Sequence, residues 1–384
     1  MNIVVIANGY PTHREPQYGC FEKDQAIALK KMGHNVSIFY LDERFRLYWR
    51  RIGVNHKIEN EIDIYGIYLF PRKCLSVLNT KLKYKIDCRL LEVLYKRYIK
   101  DFQLKPDLLY AHYLTNIAIS VGLKKKYDIP LVGIEHWSEL TKNSLALPVR
   151  YLGNIAYNGV DKLLSVSQSL QSHIFRHFRK TPIVVYDMLG QDFVSSKPIH
   201  EEEFVVKFQF IAIGSMVNRK GFDLLLNAFN KADLMKKGCK LIIIGDGPER
   251  IKLQKQSELL GISEAVKLVG RKTKKEIIRL LQESHTFVLS SRSETFGVVC
   301  IEAMSQGLPI IATICGGPEE FINVKNGILI PTEDVNALAR AMINMFTHYG
   351  EYNKIEIAKE CKQRFAPQVI ANQLTDIFED VINN

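Results

Sequence analysis

The chain has 384 residues, 47% hydrophobic and 24% charged, which suits two soluble globular domains and excludes a largely disordered protein. No apolar run approaches the roughly 18 residues that a membrane span needs. The net charge of +11 is uneven, because residues 1–200 hold 29 Lys and Arg against 18 Asp and Glu, whereas residues 201–384 hold 23 of each.

The N-terminal half alternates short apolar runs with helix-like stretches, the pattern of a parallel sheet with crossover helices. A first strand is predicted at residues 3–7, and no basic segment of a signal peptide precedes it. A helix at residues 21–32 ends before Gly33, and residues 75–100 are typical of one or two amphipathic helices. Further strands are predicted at residues 35–41, 108–111, 131–134, 163–166 and 183–186.

The C-terminal half repeats the alternation more clearly and ends in an amphipathic helix. Its strands are predicted at residues 208–213, 241–244, 266–269, 286–289, 309–312 and 328–330. A polar segment around Pro198 lacks periodicity and is predicted to be a linker. The pattern thus predicts an N-terminal domain, a linker, a C-terminal domain and a final helix, at residues 1–190, 191–204, 205–366 and 367–384.

The strongest chemical signal is a polar loop that follows the strand 286–289 and leads into a helix. The backbone N–H groups of Phe296 and Gly297, at the start of that helix, favour an anion. Glu294 precedes them, and Glu302 lies in an otherwise apolar helix, where a carboxylate needs donors such as ribose hydroxyls. A capping residue with an unrelated helix glutamate is the alternative.

A second loop, at residues 214–221, joins the first strand of this half to a helix. Arg219 and Lys220 stand beside the start of that helix, where two cations can hold phosphate oxygens. An exposed basic turn is the alternative for so short a segment. Glycine-rich turns at residues 245–248 and 316–320 follow two other strands, and each is weak evidence taken alone.

Together these segments resemble the GT-B glycosyltransferases of family 4, and they occur in the family's order. The N-terminal half matches more loosely, through segments around Gly19, His112, His136 and residues 165–169. The resemblance implies an α/β fold of two Rossmann-like, doubly wound domains that face each other across a cleft. It also implies that the final helix returns to the N-terminal domain.

The resemblance also implies roles for single residues. Lys220 neutralises a donor diphosphate, Glu302 holds the ribose, and Gly19 lets an N-terminal loop approach the diphosphate. Two residues are placed at the transferred sugar: His136 on the acceptor side near C1, and Glu294 with the backbone of the next three residues. The donor-binding set is Gly19, Gly214, Arg219, Lys220, Arg271, Thr295, Phe296, Gly297 and Glu302.

The implied activity is transfer of a sugar from a UDP- or GDP-linked donor to a hydroxyl, with anomeric retention. One residue departs from the family pattern: Ser215 stands where arginine usually follows the loop glycine, and Arg219 is expected to supply the second cation. Two alternatives stay open, a non-catalytic sugar-nucleotide-binding homologue and a UDP-N-acetylglucosamine 2-epimerase-like enzyme. A dinucleotide oxidoreductase is disfavoured, because no Gly-x-Gly-x-x-Gly follows the first strand.

The expected partners are a nucleotide-sugar donor and a glycan or lipid-linked acceptor, as in capsule, polysaccharide or lipopolysaccharide synthesis. Neither a metal nor a separate cofactor is expected. The positive charge within residues 72–105 favours contact with an anionic membrane, and nucleic-acid binding is not expected. The seven scattered cysteines favour a reducing, cytoplasmic location. Together with the basic segment, this location suits the inner face of the cell membrane.

Overall fold

A computed structural model describes residues 1–15, 17–44, 52–69, 79–196 and 207–383. The chain divides into two compact units. The first unit joins Met1–Tyr186 to Pro367–Asn384, and the second is Asp187–Ala366.

The first unit is built on one sheet flanked by helices. Its elements before the C-terminal segment are β1 (Asn2–Ala7), α1 (Cys20–Lys31), β2 (Asn35–Asp42), β3 (Gly53–Glu59), β4 (Ile62–Tyr68), α2 (Thr80–Phe102), β5 (Leu108–His112), α3 (Leu114–Tyr127), β6 (Leu131–Glu135), α4 (Leu147–Gly159), β7 (Lys162–Ser165), α5 (Gln168–Phe178) and β8 (Ile183–Val184). The strands follow the order β3-β4-β2-β1-β5-β6-β7-β8, and all pair in parallel except β3 with β4. The central strands are apolar on both faces because helices cover both sides.

The antiparallel hairpin of β3 and β4 was not predicted from the sequence. Residues 75–78 of the predicted helical stretch 75–100 lie outside the described residues. Val54 and Ile58 are exposed on β3, so the strand lacks the buried apolar run of the others. The two turn residues, Asn60 and Glu61, both have positive φ. Such a turn suits a two-residue hairpin, but Asn-Glu is a weaker signal than Asn-Gly.

The second unit has a wholly parallel sheet. Its elements are α6 (Gln191–Ser195), β9 (Gln209–Ile213), α7 (Phe222–Lys231), β10 (Lys240–Ile244), α8 (Arg250–Leu259), β11 (Val266–Leu268), α9 (Lys274–Gln282), β12 (Thr286–Leu289), α10 (Val298–Ser305), β13 (Ile310–Thr313), β14 (Gly327–Ile330), α11 (Val335–His348) and α12 (Lys354–Phe365). The strand order is β11-β10-β9-β12-β13-β14. The order reverses between β9 and β12, as in a doubly wound Rossmann sheet. The prediction of two Rossmann-like units is confirmed.

The predicted linker, residues 191–204, falls partly on α6 and partly on residues outside the described ranges, so it stays a prediction. The return of the C-terminal helix is observed directly. Helix α13 (Pro367–Asn383) packs on α1. The Phe378 ring lies 5.0 Å from the ring of Tyr110 on β5, and Thr375 Oγ1 lies 2.9 Å from His34 Nε2.

Candidate functional site

The candidate donor site lies at the carboxyl ends of β9 and β12, where the second sheet reverses its strand order. Loops and helix N-termini converge at such a point, which is where doubly wound sheets bind ligands. The loop after β9 meets the loop after β12 through close backbone contact. A side-chain carbon on Gly221, which has a φ of +63°, would lie 2.0 Å from the carbonyl oxygen of Ser290. Glycine is therefore required there by packing.

The two loops are joined by a cluster of charged side chains around Glu294. Lys220 Nζ lies 2.5 Å from Glu294 Oε1, and Arg219 Nη1 lies 3.4 Å from Glu294 Oε2. Ser291 Oγ also donates to Glu294 Oε1, at 2.6 Å. The Glu294 side chain is 7% exposed and that of Lys220 is 14% exposed, whereas Arg219 reaches solvent. The carboxylate is thus held by two cations and a hydroxyl.

Arg292 fastens the same two loops and was not identified from the sequence. Its guanidinium donates to both carboxylate oxygens of Asp223 at the start of α7, at 2.9 and 2.8 Å, and also to the Asn218 carbonyl oxygen and Glu333. The Arg292 backbone N–H donates to the Arg219 carbonyl oxygen at 2.8 Å. Bidentate pairing of this kind fixes geometry as well as charge. The only sequence signal was an arginine between two serines of the loop.

The segment Thr295–Gly297 leads into α10, which begins at Val298, two residues later than predicted. Phe296 is 1% exposed, so its backbone rather than its ring is available to a ligand. The glycine-rich turn after β13 packs on this segment, because a side-chain carbon on Gly317 would lie 2.3 Å from Phe296 Cα. The Glu294 N–H donates to the Cys315 carbonyl oxygen at 2.9 Å. This packing holds the start of α10 in place.

Glu302 is half-buried on α10, as its place among apolar residues predicted. Burial raises the pKa of the Cys300 thiol well above its usual value, and the negative charges of Glu294 and Glu302 raise it further. Both carboxylates therefore act electrostatically on the same buried thiol.

Glycines bring the loops after β10 and β11 against the loop after β9. Gly214 donates its N–H to the Ile244 carbonyl oxygen at 3.0 Å, and Gly245 donates to the Gly270 carbonyl oxygen at 2.9 Å. A side-chain carbon on Gly245 would lie 1.9 Å from the Gly214 carbonyl oxygen. Arg271 follows in this group and is exposed. The predicted donor-binding residues of the second unit thus share one edge of its sheet.

Gly19 and His136 belong to the first unit. Gly19, with a φ of +73°, precedes α1, and a side-chain carbon there would lie 2.2 Å from the Gly9 carbonyl oxygen. Packing within this unit therefore already requires glycine. His136 follows β6, is half-buried, and has its Nε2 3.2 Å from Nδ1 of the fully buried His112.

Glu135 holds the backbone next to His136 and was not assigned a role from the sequence. The Glu135 carboxylate accepts the N–H groups of His136 and Trp137, both at 3.0 Å, and the Tyr157 hydroxyl at 2.8 Å. Burial raises the pKa of Glu135, and these hydrogen bonds oppose the rise. A carboxylate at the end of a predicted buried strand was the feature of the sequence that could have indicated this role for Glu135.

A cavity of about 220 Å³ opens in the first unit, beside the ends of β1, β2 and β5. Tyr18 and Tyr84 contribute aromatic surface, and Asn8 and Asn116 contribute amide groups. Arg44 and Asp87 add charges of opposite sign. Within the described ranges, no group of three or more His, Cys, Asp or Glu side chains is placed to hold a metal ion, and no helix could cross a membrane.

Two family models match the chain: "Glycosyl transferases group 1" at residues 197–361 and "Glycosyltransferase Family 4" at residues 23–186. An uncharacterized glycosyltransferase of Methanocaldococcus jannaschii is 30% identical over 289 residues, 69% of this chain and 68% of the relative. A lipopolysaccharide core biosynthesis glycosyltransferase of Rhizobium meliloti is 33% identical over 133 residues, 34% and 37% of the two chains.

The fold is shared with solved structures. Anabaena HepE in complex with UDP and glucose superposes with a TM-score of 0.74 at 16% identity, covering 99% of this chain and 100% of that one. At this identity the likeness shows the GT-B fold alone. The family models and the relatives together establish that this chain belongs to the family 4, group 1 glycosyltransferases.

Proposed function

We propose that the chain is a retaining glycosyltransferase that moves a sugar from a UDP- or GDP-linked donor to a hydroxyl of a glycan or lipid-linked acceptor. The observation that carries this proposal is the cluster of Lys220, Arg219 and Glu294 at the reversal point of the second sheet. The matching relative in lipopolysaccharide core biosynthesis supports a place in cell-surface polysaccharide or lipopolysaccharide synthesis.

When the donor binds, the two cations of this cluster are proposed to leave Glu294 and to bind the donor instead. A diphosphate brings more negative charge than one carboxylate, so Lys220 and Arg219 turn from Glu294 to the phosphate oxygens. Glu294 then accepts hydrogen bonds from hydroxyls of the sugar, and Glu302 accepts them from the ribose. The N–H groups at the start of α10 add the positive end of a helix dipole.

The same exchange indicates which residue replaces the arginine that usually stands at the position of Ser215. Ser215 is exposed and carries no charge. The Arg219 guanidinium, in contrast, donates to the Ser293 carbonyl oxygen at 2.8 Å and also contacts Glu294. Arg219 therefore supplies the second cation from the opposite end of the loop. This supports an active enzyme over a non-catalytic homologue.

The chemical step needs charge stabilisation more than a protein nucleophile. The bond from sugar C1 to the diphosphate oxygen breaks, the acceptor oxygen bonds to C1 on the same face, and its proton passes to a phosphate oxygen of the leaving diphosphate. Lys220, Arg219 and the α10 N-terminus stabilise the leaving charge by preorganised electrostatics, without need of a metal ion. His136 is placed at the sugar on the acceptor side.

The cavity of the first unit is the proposed acceptor site. Tyr84 offers aromatic surface for a sugar ring, while Asn8, Asn116 and Asp87 offer hydrogen-bond partners for hydroxyls. Leu41, Ile119 and Leu152 add aliphatic surface to the lining.

A basic surface on the first unit supports contact with an anionic membrane at the cytoplasmic face. It consists of exposed Lys81, Lys85 and Arg89 on α2, with Leu147 and Arg150 at the start of α4. The two helix starts adjoin, because the Lys81 ammonium lies 5.9 Å from the centre of the Tyr151 ring. Leu147 is 82% exposed and offers an apolar anchor among the cations.

A turnover assay tests the proposed function. The protein is incubated with UDP- and GDP-linked sugars and a panel of glycan acceptors, and both the released nucleoside diphosphate and the anomeric configuration of the product are recorded by NMR. The proposal predicts release coupled to an acceptor, with the donor's configuration kept. Conversion of the donor sugar without an acceptor would identify an epimerase instead.

A further inference from the structure

The paired histidines of the first unit differ sharply in their surroundings. His112 ends β5 and has no exposed surface, whereas His136 follows β6 and is half-buried. Their rings are stacked, with centroids 5.3 Å apart and planes 7° apart, and His112 Nδ1 lies 3.2 Å from His136 Nε2. One of these two nitrogens carries the hydrogen of that bond.

The surroundings of the other nitrogen of His112, Nε2, indicate which of the two carries this hydrogen. His112 Nε2 is buried and has no hydrogen-bond partner among the described residues. If His136 donated to His112, the hydrogen of neutral His112 would sit on Nε2, as a buried N–H without an acceptor. The opposite arrangement places that hydrogen in the bond to His136 and leaves only a lone pair on the buried Nε2. A buried N–H without an acceptor is rarer in proteins than a buried acceptor without a donor, so this second arrangement is favoured.

The other groups around the pair agree with a neutral His112. Burial lowers the pKa of His112 well below its usual value, and the neighbouring His136 lowers it further. The ring of Tyr110 packs against the His112 ring, with the two centroids 4.6 Å apart. Glu135 accepts the His136 backbone N–H, as described above, and so fixes the main chain that carries the outer ring.

The backbone between the two histidine segments is strained. Tyr113, directly after His112, has a φ of +69° and a ψ of 144°, a region that residues other than glycine rarely adopt. Its N–H donates to the Ile134 carbonyl oxygen at 3.0 Å, and its ring lies 5.1 Å from the His136 ring. Strain of this kind is typical of functional sites.

We infer that His112 is a positioning residue for His136: its Nδ1–H donates to His136 Nε2 and thereby fixes the hydrogen of neutral His136 on Nδ1. The lone pair of His136 is then occupied by His112, so His136 serves as a hydrogen-bond donor and not as a general base. Under the proposed function, on which this consequence rests, the ligand atom that it meets is a hydrogen-bond-accepting oxygen of the sugar.

The tautomer can be measured without any substrate. Protein labelled with ¹⁵N-histidine is studied by NMR at mildly alkaline pH, where an ordinary histidine is neutral, and the two-bond couplings identify the protonated nitrogen of each ring. A His136→Gln variant assigns the His136 signals among the ten histidines. The inference predicts that His136 is protonated on Nδ1, and protonation on Nε2 would overturn it.

Kinetics test the consequence separately. His112→Asn keeps an N–H donor near the position of Nδ1, whereas His112→Phe removes it. The inference predicts that His112→Phe lowers kcat about tenfold with little change in the donor KM, and that His112→Asn restores most of the loss. His173→Phe, at another half-buried histidine of this unit, is the matched control and should leave kcat unchanged.

The two measurements separate the inference from the proposed function. An inactive protein whose His136 is protonated on Nδ1 would contradict the proposed function and support the pairing of the histidines. An active enzyme in which His112→Phe leaves kcat unchanged would overturn the positioning role. Melting curves for each variant verify that the compared proteins are folded.

Discussion

The ammonium group of Lys220 lies 2.5 Å from Glu294 Oε1, in a place where both side chains are largely buried. The residue proposed to neutralise the diphosphate is thus hydrogen-bonded to the residue proposed to hold the sugar. This pairing links the stability of the second unit to its candidate donor site, because loss of Lys220 removes the closest of the two cations that hold the buried Glu294 carboxylate.

Lys220→Ala is expected to lower the free energy of unfolding by about 3 kcal/mol, because the buried Glu294 carboxylate loses its closest cation. Chemical denaturation measures the change. Adding Glu294→Gln to the variant should recover part of the loss, because it removes a buried charge that has lost its closest cation. Lys252→Ala, which breaks the more exposed pair with Glu249, is the control and should change stability by less than about 1 kcal/mol. Equal effects of the two alanine variants would contradict the buried-pair account.

Arg292→Lys is expected to weaken binding of the donor nucleotide by about tenfold, although Arg292 is not proposed to touch it. Lysine cannot reproduce the bidentate bond to Asp223, so the loop that carries Arg219 and Lys220 loses its fixed position. Isothermal titration calorimetry with UDP and GDP measures the effect. Arg279→Lys, in an exposed pair with Glu283 on α9, is the matched control. Unchanged affinity in Arg292→Lys would show that the loops keep their arrangement without it.

The buried histidine predicts a pH dependence of stability. The pKa of His112 lies well below the usual value of 6.5 in the folded chain. As the pH falls below 6.5, the unfolded chain binds a proton at this residue and the folded chain does not, so the free energy of unfolding falls by about 1.4 kcal/mol per pH unit. His112→Asn removes this contribution.

Denaturation of the two proteins between about pH 6.5 and pH 5 measures the difference. The raised pKa of Glu135 acts in the opposite sense, since it makes stability fall as the pH rises above 4.5. Both proteins contain Glu135, so its contribution cancels in the difference. A stability difference that stays constant with pH would mean that the pKa of His112 is not lowered by folding.

The basic surface predicts binding to anionic vesicles that weakens as salt is added. Lys81→Glu with Lys85→Glu should reduce co-sedimentation with vesicles of phosphatidylglycerol and phosphatidylcholine. Lys255→Glu with Lys275→Glu makes the same change in charge on exposed residues of the second unit and should have little effect. Equal losses in the two variants would indicate a response to net charge rather than a membrane-binding surface.

The parallel strands of both sheets, except β4, were predictable because each is a short apolar run closed by a polar or glycine-containing loop. The hairpin of β3 and β4 was not, since β3 alternates exposed polar and apolar residues at the sheet edge, and its turn lacks glycine. Sequence reading places single elements well when burial is uniform, and less well where a strand is half-exposed.

The candidate site shows a similar division. Lys220 and Glu294 stood out because charged residues in loops after buried strands have no packing role. Arg292 and Asp223 are 69 residues apart in sequence, and nothing local indicates that they pair. His112 sits in an apolar strand, where its proximity to His136 depends on the register of β5 against β6. Contacts of this kind depend on how the strands are ordered and aligned in the sheet, which the local sequence pattern does not indicate.

Thermal unfolding with UDP, GDP, ADP and CMP, each with and without EDTA, tests the central claim most directly. A ligand at about 100 times its dissociation constant adds about 2.7 kcal/mol of stability, which is readily seen as a shift in Tm. The account predicts a shift with one nucleoside diphosphate that is insensitive to EDTA and lost in Lys220→Ala. No shift with any of the four nucleotides would contradict the proposed donor site.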